Sequence, residues 1–121
     1  MISQIKFAGI PVQDQERALA FYRDKLGFEV TTDAPMGEGK RWIEMRPPGA
    51  QTGITLFTPP GHEDRIGTFS GVSFQCPDVD ATYAELKARG VEFRGEPEQQ
   101  PWGKFAMLID SEGNTFVVSS R

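Results

Sequence analysis

The stretch "IKFAGIPVQDQERALAFYRDKLGFEV", residues 5–30, decides the fold. Its opening is short, apolar and β-prone. Asp14 then offers a side-chain oxygen at a helix N-terminus. Ala18, Leu19, Phe21, Tyr22 and Leu26 recur at helical spacing and give one apolar stripe. Gly27 suits the helix C-terminal turn, where positive φ is common. "FEV" starts a second strand. The segment therefore reads as strand, tight turn, amphipathic helix and strand.

The same order returns when the chain is laid on itself so that Phe7 meets Gly71. "FAGIPVQD" (7–14) lies over "GVSFQCPD" (71–78), and "LGFEV" over "RGVEF". "RWIEMRPPG" (41–49) lies over "FAMLIDSEG" (105–113). "GITLFT" (53–58) matches "NTFVVS" (114–119) after a slip of one or two residues. The second helix starts near Asp78 or Asp80, carries Val79, Tyr83, Leu86 and Lys87, and ends at Gly90. Two copies of a β-α-β-β-β unit in one chain give an α+β fold class, not a solenoid. Module 1 spans about 1–58 and module 2 about 69–121, with the Pro/Gly segment 58–68 as linker.

Bulk properties exclude several partners. A chain of 121 residues with 38% hydrophobic and 25% charged residues is long enough for a core without staples. A net charge of -4 argues against nucleic acid, because phosphate binding needs a basic surface. No apolar run approaches membrane-spanning length, and the start has no signal-peptide core. Cys76 alone excludes an internal disulfide. A cytoplasmic location is expected.

The segments "VQDQERALAFYRDKLGFEV", "PDVDATYAELKARGVEF" and "LIDSEGNTFVV" together resemble the vicinal oxygen chelate superfamily, which includes glyoxalase I, extradiol dioxygenases and bleomycin-resistance proteins. The resemblance implies two tandem βαβββ modules with curved mixed sheets round a cleft, helices outside, and a homodimer. It also implies four metal-ligand positions, one on the first and one on the last strand of each module. In this chain they fall on Phe7, Thr55, Gly71 and Val117. A phenyl ring, a hydroxyl, a hydrogen and an isopropyl group do not make a divalent site. Shifting the register by one residue brings no better donors. The single histidine, His62, sits beside Glu63 and Asp64 in the linker and reads as a solvated loop. No metal or other cofactor is expected.

Strand alternation then gives the lining of the cleft. Phe7, Thr55, Phe57, Gly71, Ser73, Gln75 and Val117 share one parity. Ile54, Leu56, Val72, Phe74, Cys76, Phe116 and Val118 share the other, which is apolar as a helix-covered face should be. Trp42, Glu44 and Arg46 are expected on the cleft side, with Ile43 and Met45 opposite. Lys104, Ala106 and Leu108 are expected on the cleft side too, with Phe105, Met107 and Ile109 beneath the helix. Trp102 either closes the cleft or caps the sheet. A flat aromatic ligand would stack on Trp42, and a cationic one would sit between Trp42 and Glu44. Arg46, beside "PPG", reads as a turn anchor, and Cys76 as an inert core thiol.

The expected function is metal-independent binding of a small aromatic or drug-like molecule, by sequestration as in the bleomycin-resistance branch. One alternative is a metal-free lyase or isomerase with Glu44 as base. Another is a glyoxalase- or dioxygenase-like metalloenzyme with displaced ligands.

Overall fold

The computed structural model describes residues 1–120 and divides into two compact units, Met1–Ile66 and a second that starts at Gly67. In the first, β1 (Phe7–Pro11) leads to α1 (Gln15–Ala20), which continues as a π-helical segment, Phe21–Lys25. Strands β2 (Glu29–Gly37), β3 (Lys40–Arg46) and β4 (Gly53–Phe57) follow. The sheet order is β1-β4-β3-β2, with β1 parallel to β4 and the other pairs antiparallel. The helix starts where the sequence says it should: the Asp14 carboxylate accepts from the Arg17 N–H at 3.0 Å. The core of this unit lies between helix and sheet. Tyr22, Ile10, Ile43, Met45 and Leu56 are at most 1% exposed.

In the second unit, β5 (Phe69–Gln75) leads to α2 (Val79–Ala88), capped by Asp78 through the Ala81 N–H at 3.1 Å. Then come β6 (Glu92–Phe93), β7 (Glu98–Gln100), β8 (Gly103–Ile109) and β9 (Thr115–Ser119). Both β6 and β7 pair with β8, so one strand of the repeat is split in two. Pro97, which has no N–H to give a ladder, lies in the break. Phe74 and Phe116 stack at 4.8 Å, while Tyr83 meets Phe93 edge-on at 4.7 Å.

Each cap tests the helix boundaries. Asp14→Ala and Asp78→Ala should each lower stability by about 1 kcal/mol. Urea unfolding followed by circular dichroism measures it.

The parity expected for β8 is reversed. Ala106 pairs with Val118 and Leu108 with Phe116, and all four are buried on the helix side. Phe105, Met107 and Ile109 pair with Ser119, Val117 and Thr115 on the opposite face. Lys104 is accordingly not a cleft residue: its Nζ donates to Asp80 of α2 at 2.6 Å. A second correction concerns Gly71. Phe7 pairs with Gly53 as Phe69 pairs with Thr115, and Gly9 pairs with Thr55 as Ser73 pairs with Val117. The step from Phe69 to Ser73 is longer than the step from Phe7 to Gly9, so the extra residues bulge from β5 at Gly71. There φ is +75°, which favours glycine. By pairing, Phe69 and not Gly71 is the counterpart of Phe7. No helix among the described residues is long and apolar enough to cross a membrane.

Candidate functional site

The first unit's sheet carries an aromatic hollow on the face away from α1. The register builds it. β1 sets Phe7 and Gly9 beside Gly53 and Thr55, and β3 sets Glu44 beside Thr55, with Trp42 two positions along on the same face. Phe7 meets Trp42 edge-to-face, with centroids 5.7 Å apart and planes at 73°. Gly9 makes room for Phe57: a Cβ there would stand 3.1 Å from the Phe57 ring. The resulting hollow is about 440 Å³, within the usual range for organic ligands. Phe7, Gly9, Trp42, Thr55 and Phe57 line it, with Met36 from β2 and Thr58 and Pro60 from the segment after β4.

Its polar margin is Gln15, Lys40 and Arg41. Gln15 sits on the helical stripe with Ala18, Leu19 and Tyr22, yet is polar and 9% exposed. Its amide is fully used. Nε2 donates to Arg41 O at 2.6 Å and Leu56 O at 2.8 Å, and Oε1 accepts from Arg41 N at 3.0 Å. Arg41 is also spoken for: it binds Asp33 through two nitrogens, at 3.0 and 2.7 Å, and Glu16 at 2.7 Å. A larger, polar hollow of about 720 Å³ adjoins at the start of α1 and shares Gln15, Lys40, Arg41 and Thr58. In it Glu16 pairs with Arg41 and Asp14 accepts from the Arg17 N–H, and no aromatic ring lines it for stacking.

Hydrogen bonding from Arg41, together with its charge, holds the Asp33 carboxyl below the usual carboxylate range against the opposing effect of burial. The depressed value belongs to the folded state. The stability this pair contributes is therefore complete above the unfolded value, about pH 4, and disappears as pH falls through the folded value. Because both side chains are about a third exposed, the contribution stays below about 1 kcal/mol. The stability gap between wild type and Asp33→Asn should be measurable at pH 7 and close near pH 2, as followed by urea titration.

The expected site residues divide into three groups. Phe7, Trp42, Thr55 and Phe57 converge on the hollow. Glu44 and Arg46 share the face of Trp42 but do not line the hollow. Arg46 anchors its turn through Nη1 to Ala50 O at 3.3 Å, and Glu44 forms no ion pair with Arg41 or Arg46. A cation held between Trp42 and Glu44 therefore has no place in the hollow itself. Ser73, Gln75 and Val117 lie in the second unit, on the face of β5 and β9 that carries Phe69. Trp102 is 51% exposed and stacks on Phe105 at 5.5 Å. Sequence reasoning missed Gln15, Met36, Lys40, Arg41, Thr58 and Pro60 as lining residues. For Gln15 a signal existed, a polar side chain in phase with a buried stripe.

The residues do not fit a divalent metal. Neither the set Phe7, Thr55, Gly71 and Val117 nor the same set with Phe69 provides the carboxylate or imidazole donors such an ion needs. Among the described residues, no three His, Cys, Asp or Glu side chains group in a way that would hold one.

Known proteins share this architecture. YetH of Bacillus subtilis (strain 168), itself uncharacterised, is 36% identical over 118 residues, covering 98% of both chains. TnmS3, an antibiotic binding protein from Streptomyces sp. CB03234, superposes with a TM-score of 0.86 at 36% identity, over 98% of this chain and 95% of that one. A Sphaerobacter thermophilus DSM 20745 member of the glyoxalase, bleomycin resistance and dioxygenase superfamily superposes with a TM-score of 0.88 at 38% identity, over 98% and 97%. The family profile described as Glyoxalase/Bleomycin resistance protein/Dioxygenase superfamily matches residues 4–118. With the two βαβββ units and these relatives on nearly the whole chain, the protein belongs to that superfamily.

Proposed function

We propose that the protein binds a small, flat aromatic molecule in the hollow of its first unit, directly and without a metal ion. The observation that carries this is the wall of Phe7, Trp42 and Phe57 around a space of about 440 Å³. Stacking, area burial and one or two hydrogen bonds are sufficient for such binding. The antibiotic binding described for TnmS3, a relative at 36% identity, supports the binding of a small organic molecule here. Sequestration needs no reacting group, and the described residues lining the hollow include no carboxylate or imidazole. A lyase or isomerase with Glu44 as base would need that carboxylate at the bound molecule, and Glu44 lies outside the lining.

Fluorescence titration in EDTA tests the proposal with three probes: neutral 2-naphthol, anionic anilinonaphthalene sulfonate and cationic acridine orange. At least one should saturably quench the emission that Trp42 contributes, taken as the difference between wild type and Trp42→Phe. Failure of all three, or quenching that appears only with added divalent ions, would overturn it.

A further inference from the structure

The hollow's unused polar groups define the chemistry of its ligand. Two stand out. Thr55 is only 3% exposed, and its Oγ1 faces the space over Gly9, 3.7 Å from where a Cβ there would stand. That hydroxyl makes no hydrogen bond within the protein among the described residues. The oxygen is not sealed off from solvent, so it is open to the hollow and free to bond a group that arrives from outside.

The second is Lys40, which lines the aromatic hollow and the polar hollow that adjoins it. Arg41, the other cation of the lining, is neutralised by Asp33 and Glu16. Lys40 has no ion pair among the described residues. The carboxylate that feels its charge is Glu63. That group is held chiefly by its own N–H and that of Gly61, with Lys40 the least of the influences on it. Lys40 Nζ is thus a cation available at the rim.

The register sets the spacing. Thr55 pairs with Glu44, and Lys40 lies four positions away along β3 on the same face. At a rise of about 3.3 Å per residue, that is ~13 Å between backbones. The long lysine side chain shortens the gap to the length of two or three fused rings. Trp42 on β3 and Phe57 on β4 occupy the interval between the two polar ends.

From this we infer that the ligand is an aromatic acid. A flat ring system lies against Trp42, an oxygen substituent hydrogen-bonds Thr55 Oγ1 at the buried end, and an anionic group meets Lys40 at the rim. The inference rests on the hollow being the binding site. It adds a charge preference that a protein of net charge -4 would not show through its overall field.

The test uses three probes on the whole chain by isothermal titration: 6-hydroxy-2-naphthoate, its neutral amide, and 2-naphthoate. The hydroxy acid should bind about fivefold tighter than the amide, the size of a partly screened ion pair. Lys40→Met should bring that ratio close to one, and in the wild type about 0.5 M salt should shrink it. Thr55→Val should remove the advantage of the hydroxy acid over 2-naphthoate. If the amide binds as tightly as the acid, or the ratio survives Lys40→Met, the charge preference is wrong while the hollow stands. If none of the three binds, the hollow is wrong as well.

Discussion

Gln15→Ala is expected to lower the free energy of unfolding by about 3 kcal/mol, the largest stability effect of any polar substitution near the site. The amide joins three backbone groups of two strands: Arg41 O, Leu56 O and Arg41 N. It is 9% exposed, and its bond to Leu56 O is buried, so that carbonyl loses its partner on truncation. Each buried group left unpaired costs about 1–3 kcal/mol. Gln15→Glu separates hydrogen bonding from size. A carboxylate has the same shape but accepts only, and it would face two carbonyls that need donors. It should destabilise at neutral pH at least as much as alanine does. Urea unfolding measures both. A change under about 0.5 kcal/mol for either, the usual range of an uninvolved surface position, would contradict this assignment. Because Gln15 also lines the hollow, the weakened variants should bind aromatic probes less well.

Trp42→Ala should weaken binding of a flat aromatic probe by about 30-fold or more. Truncating a buried aromatic anchor at the centre of a binding site typically removes about 2 kcal/mol or more. Each step of about 1.4 kcal/mol is tenfold in affinity. Trp42 is half-buried, touches Phe7 edge-on and spans the wall between Lys40 and Thr55. Its loss removes the stacking surface and widens the hollow together. Glu44→Gln, at the next position along the same face, should change affinity less than about twofold. Titration of both variants with one probe gives the comparison. A larger effect at Glu44 than at Trp42 would move the site toward the carboxylate and revive a role for it as a base.

Much of the first unit was legible in its residues. Asp14 marked the helix start, and the alternation of β3 and β4 is one-sided: Ile43, Met45, Ile54 and Leu56 are buried, while Trp42, Glu44 and Thr55 share the other face. Where the two faces of a strand differ in polarity, the pleat can be read from the sequence. β8 fails that condition. Ala106 and Leu108 are apolar, but so are Phe105, Met107 and Ile109, and nothing in "FAMLI" says which set a helix covers. Only Lys104 carried information, and its pairing with Asp80 across the helix side depended on contacts no spacing predicts.

The bulge at Gly71 was hidden for a related reason. A duplicated unit invites one constant displacement, but residues inserted in β5 change it within a single strand. The glycine was the clue, because a position with φ of +75° interrupts a strand ladder. The outer wall of the hollow escaped for a third reason. It comes from Met36, Lys40 and Pro60, which approach through the tip of a hairpin and a proline-rich segment with no periodicity to read.

The hollow is held to recognise an organic molecule by itself. Isothermal titration of 2-naphthol into protein stripped with a chelator, and again after addition of zinc or manganese, tests this most directly. Saturable binding with one site per chain, and the same affinity in both states, is the predicted result. Binding that is absent after stripping and restored by the ion would contradict it.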